Sequence, residues 1–76
     1  MEEVGVALHL ASSGKLILKG KPVAPGTILY DSNGRRIAKV HEVIGPVRNP
    51  YLSCKPLTDK LRKLFGVKLY SSNYGN

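Results

Sequence analysis

Side chains able to do covalent or proton-transfer chemistry include two histidines, His9 and His41, one cysteine, Cys54, and, among the serines, Ser12 and Ser53. Each lacks the companion its chemistry requires. A histidine base needs a carboxylate to orient it, but His41 and Glu42 are adjacent and, on a regular strand, would point to opposite faces. His9 alternates with apolar residues and reads as a surface or half-buried ring. Zinc needs several Cys or His ligands at short spacing, which one cysteine and two distant histidines do not supply. Ser12 and Ser53 stand outside any nucleophile motif, and Gly14, Gly20, Gly26 and Gly34 fit turns rather than a phosphate-cradling loop. Cys54, between Leu52 and Pro56, is expected to pack inward as a small hydrophobe. The residues argue against an enzyme and predict no catalytic, cofactor-binding or metal-binding position.

Binding chemistry is better represented. The run Val43-Ile44-Gly45-Pro46-Val47-Arg48-Asn49-Pro50-Tyr51-Leu52-Ser53-Cys54-Lys55-Pro56 places three prolines, a glycine and a tyrosine between two strand-like segments. Proline fixes φ and removes a donor, so Gly45-Pro46 and Asn49-Pro50 hold the chain in a pre-set curve that loses little entropy on docking. Ile44, Val47, Pro50 and Tyr51, with the cation Arg48, have the composition of an interface rather than of a solvated turn. The other aromatics, Tyr30, Phe65, Tyr70 and Tyr74, stand singly, whereas an RNA-binding sheet carries two in alternation beside basic residues; core or interface packing is the expectation for them. Twelve Lys and Arg against five acids give a formal charge of +7, which suits life beside polyanions, although the cations are spread along the chain.

The elements that must position these residues are short. Val4, Val6, Leu8 and Leu10 alternate with Gly5, Ala7 and His9, predicting a strand with one apolar face. Ala11-Ser12-Ser13-Gly14 turns the chain into a second strand at Leu16-Ile17-Leu18, and Thr27 to Tyr30 makes a third. Asn33-Gly34 signals a tight hairpin into a fourth strand, Arg36 to Ile44. Tyr51 to Lys55 is the fifth. Thr58 is placed to cap a short helix opened by Asp59, with Leu61, Leu64 and Phe65 on one face and Gly66 as its left-handed terminator. Val67 to Tyr70 is the sixth strand. The fold class expected is all-β, a six-stranded small closed or split β-barrel with one short helix before the last strand, spanning residues 1–70 and followed by a polar, flexible tail at 71–76. A single cysteine, the start Met1-Glu2-Glu3-Val4 and the lack of a membrane-length apolar stretch predict an intracellular soluble protein with no membrane partner.

The order Val43-Ile44-Gly45-Pro46-Val47, two residues, Pro50-Tyr51, three residues, Lys55-Pro56, then Gly66 and Leu69-Tyr70 resembles the small β-barrel subunit of box H/ACA ribonucleoproteins, named in eukaryotes for its glycine- and arginine-rich tails. The likeness covers nearly the whole chain and is tightest from Val43 to Pro56. No Arg-Gly-Gly repeats flank it, so it looks like the archaeal form or a trimmed eukaryotic core. The resemblance implies a barrel similar to a domain of translation elongation factors. It implies a non-catalytic subunit of the RNA-guided pseudouridine synthase, bound to the catalytic domain and engaging its mobile substrate-gripping loop. That subunit promotes substrate loading and product release in rRNA pseudouridylation and ribosome biogenesis. Partners would be the synthase catalytic subunit and, through the complex, the H/ACA guide RNA and the other core proteins, with at most weak direct RNA contact. The compartment would be the archaeal cytoplasm, or the nucleolus for a eukaryotic core. Carried over by position, the partner-binding residues are Ile44, Gly45, Pro46, Val47, Arg48, Pro50 and Tyr51, with Arg48 at the rim and Asn49 in the variable part. The alternative is a small barrel that binds RNA directly, as ribosomal or Sm-like proteins do.

Overall fold

Alternating apolar residues build the interior: Leu16 and Leu18, Ala38 and Val40, and Leu52 and Cys54 lie on facing strands, none more than 1% exposed. A computed structural model describes residues 1–72 as six strands, β1 (Glu2–Leu10), β2 (Leu16–Gly20), β3 (Ile28–Tyr30), β4 (Arg36–Ile44), β5 (Tyr51–Pro56) and β6 (Lys68–Ser71). They close in the order β1-β2-β5-β4-β3-β6, every neighbour antiparallel. The small all-β barrel expected from the residues is therefore present, and it is the closed form. Closure pairs every strand on both sides and removes the edges on which a short sheet would otherwise aggregate. Val4, Ala7, Leu29 and Leu69 complete the core from β1, β3 and β6.

The first strand departs from the expected face. Register shifts between Glu3 and Gly5 and between Ala7 and His9 break the alternation, so Val4 and Ala7 point inward while Leu8 and Leu10 remain 42% and 36% exposed. Each bulge inserts one residue and flips the remainder of the strand to the other side. A third shift, between Val40 and Glu42, likewise leaves both His41 and Glu42 outside instead of on opposite faces.

Gly20 also departs from expectation, because it lies in β2, not in a turn. It faces Gly5 across the β1–β2 ladder so closely that a methyl group on Gly20 would strike the Val4 carbonyl oxygen, and one on Gly5 the Lys19 carbonyl oxygen. The tight path of the two strands therefore requires both glycines.

Turn chemistry explains the remaining differences. The tight hairpin expected at Asn33-Gly34 joins β3 to β4, but not through a type I′ turn, which would need positive φ at Asn33 as well as Gly34; among the described residues only glycines have positive φ. Instead the Asp31 carbonyl accepts the Gly34 amide at 3.0 Å, Gly34 takes φ +82°, and the Asp31 carboxylate accepts the amides of Asn33 and Arg35, both at 2.9 Å. The segment before β6 forms only a single 3₁₀ turn, Leu61–Leu64. Thr58 Oγ1 accepts the Lys60 amide at 3.3 Å, ahead of the turn and not as its cap. Too few residues separate Pro56 from Gly66 to repay α-helix nucleation. Phe65 (φ −67°, ψ 125°) and Gly66 (φ +84°) are the centre of a type II turn closed by the Val67 amide on the Leu64 carbonyl at 2.9 Å. The last strand reaches buried Ser71, one residue past the expected boundary; residues 73–76 of the expected tail, Tyr74 included, lie outside the described residues.

Candidate protein-binding surface

The β4–β5 ladder runs from Ala38 opposite Pro56 to Ile44 opposite Tyr51, so the proline loop, residues 45–50, projects from one end of the barrel. Its first turn depends on Gly45, whose φ of +93° lies in the left-handed region that a side chain disfavours. The nearest atom to a methyl placed there would be Tyr51 Cδ2 at 3.9 Å, so conformation and not close approach demands the glycine. At the other foot the Gly20 amide donates to the Pro50 carbonyl at 3.2 Å, tying the loop to β2. Proline geometry within and hydrogen bonds at the base hold the loop in one shape.

What this shape presents is largely apolar. Val47 is 84% exposed, Ile44 46% and Tyr51 40%, with Gly45, Pro46 and Arg48 also at the surface. Pro50 is the exception among the expected contact residues: it is fully buried and cannot offer its ring to a partner. It plugs the base of the loop, because the strand pairing that starts at Tyr51 carries the preceding residue beneath the hairpin. Six of the seven residues expected to face a partner are thus exposed on one hairpin end.

Sequence reading missed one contributor. Lys19, opposite Tyr51 on β2, holds its Nζ 4.3 Å from the centroid of the Tyr51 ring. A cation at this distance is attracted to the ring face, by about 0.5–1 kcal/mol at an exposed site, and fixes the ring's orientation. Lys19 lies far from the loop in the chain, so no local pattern could have identified it.

The groups with reactive potential are not assembled. Cys54 is buried among the core side chains, and burial pushes its thiol up from 9.0 to about 12, which keeps it protonated and unreactive. Among the described residues no group of three or more His, Cys, Asp and Glu could hold a metal ion, and no helix is long and apolar enough to cross a membrane.

No protein-family model matches this chain. It is 39% identical over 75 residues to an uncharacterized protein of Methanothermobacter thermautotrophicus, the alignment covering 92% of this chain and 82% of that relative.

Proposed function

We propose that this chain, which belongs to the same family as the uncharacterized Methanothermobacter protein, is an archaeal-type, non-catalytic β-barrel subunit of a box H/ACA RNA-guided pseudouridine synthase complex. It docks on the synthase catalytic domain through the β4–β5 loop and promotes substrate loading and product release. The observation that carries the reading is the rigid loop itself, which exposes Ile44, Val47 and Tyr51 together. A monomeric domain gains nothing by leaving apolar side chains on a pre-organised projection, whereas an interface uses them as anchors. Closure adds a second support. With each strand paired on both sides, a partner cannot add a strand to this sheet, so recognition must run through side chains.

Titration of this chain against the catalytic subunit of such a synthase, without RNA and repeated at high salt, tests the proposal. Tight binding that changes little with salt is the expected result, because an apolar contact is weakly screened. No binding at either ionic strength overturns it.

A further inference from the structure

At the far end of β4 from the proline loop, pairing brings together residues that stand alone in the sequence. Tyr30 on β3 and Tyr70 on β6 are direct cross-strand partners. Their neighbours Leu29 and Leu69 point into the core, so both rings lie on the outer face, where they are half-buried. Arg36 on β4 continues the row as the partner of Tyr30. The hollow beside Tyr70 shares Ser32 with a cleft of about 370 Å³ whose walls carry four cations, Arg35, Arg36, Lys60 and Lys63. Acids are present too: Asp31 is itself one wall of the cleft, its carboxylate accepting two backbone amides, Glu3, opposite Tyr70, is 3.7 Å from Lys68 Nζ, and Glu2 pairs with Ser71.

From this juxtaposition we infer a second binding site, for single-stranded nucleic acid, in which bases stack on the Tyr30–Tyr70 pair while Arg36, Lys63 and their neighbours hold the phosphates. Paired aromatics beside a basic cleft are the combination that single-strand binding uses, stacking for the bases and cations for the backbone. A concave basic wall suits a threaded strand better than a flat lipid surface, which needs protruding apolar groups. The site lies about 26 Å from the proline loop, the eight residue steps of the nine-residue β4 at about 3.3 Å each, so both surfaces can be occupied at once.

The test is fluorescence anisotropy of the full chain with a labelled oligouridylate of about 12 nucleotides, titrated between about 50 and about 200 mM salt. Four phosphate contacts predict a slope of log K against log salt near about −3, from about 0.7 per contact on a single strand. Arg36→Ala with Lys63→Ala should flatten the slope by about 1.4. Tyr70→Leu, which keeps apolar bulk, should weaken binding roughly tenfold with the slope unchanged, because stacking is not screened. Lys21→Ala and Lys55→Ala, two exposed lysines outside both surfaces, should leave both quantities alone, and a thermal melt checks that each variant is folded. No binding by the unaltered chain at the lower salt overturns the inference. So does an equal effect of the control and cleft variants, or an unchanged affinity in Tyr70→Leu. None of these outcomes touches the proline-loop proposal, whose assay contains no RNA.

Discussion

Replacing Val47 by alanine separates binding from folding more cleanly than any other change in this protein. The side chain is 84% exposed, so the free domain has little to lose; its stability, read from a thermal melt, should change by no more than an ordinary surface change, about 0.5 kcal/mol or less. In the proposed complex the two methyl-sized groups removed would be buried, at about 0.8 kcal/mol each. Scaled by that exposure, the loss is about 1.3 kcal/mol, roughly eightfold in Kd. Tyr51 gives a larger and less pure effect. At 40% exposed, a ring of about 150–250 Å² has about 60–100 Å² left to bury, worth about 2 kcal/mol or roughly thirtyfold in Kd. Its alanine variant also loses the Lys19 contact and should melt somewhat earlier. Isothermal titration against the synthase catalytic subunit, at low and high salt, reads both values. If Val47→Ala and Tyr51→Ala both keep the parent affinity within twofold, the loop is not the interface and the proposed docking surface is wrong.

Gly20→Ala should destabilise the barrel by about 3 kcal/mol or more in urea unfolding, because its methyl meets the Val4 carbonyl, which only a backbone shift can move; a loss under about 1 kcal/mol would sink the close-approach account. Asp31→Ala should cost about 1 kcal/mol in a thermal melt by exchanging its exposed bonds to the Asn33 and Arg35 amides for water, and Asp31→Asn, which keeps an acceptor, should recover most of it. Cys54 introduces a pH dependence. Since burial raises the folded thiol from 9.0 to about 12, its contribution is complete below about pH 9 and fades as pH rises toward 12. By about pH 10 the parent should have lost on the order of 1 kcal/mol relative to Cys54→Ala, measured as the change in urea midpoint between the two proteins; parallel profiles would show that the thiol ionises as easily folded as unfolded.

How much of this was legible in the residues depended on whether the signal was local. β4 is expected at Arg36 to Ile44 and is found there, because a run rich in Ile and Val bounded by an Asn-Gly turn and a Gly-Pro is self-defining. The inward packing of Cys54 on β5 is also legible, and the structure buries it in the core. The face of β1 is not, since a bulge is set by how two partner strands are offset and no window on Leu8 or Leu10 reveals it. Gly45, Val47 and Tyr51 could be picked as a binding loop from composition, while the burial of Pro50 and the seat of Lys19 over Tyr51 depend on β2 lying alongside. Tyr30 and Tyr70 are distant in the chain and adjacent in space, so their pairing is a property of barrel closure alone.

β6 bridges β1 and β3 and is the final staple of the ring. During synthesis, the nascent chain therefore carries two unpaired sheet margins until Ser71 has cleared the ribosome exit, and no earlier intermediate can hide both. Closure of the whole barrel therefore waits on β6, the last strand of the ring in chain order. The four-residue strand Lys68–Ser71, small as it is, governs how long the newborn protein stays vulnerable to association with its neighbours on the same polysome.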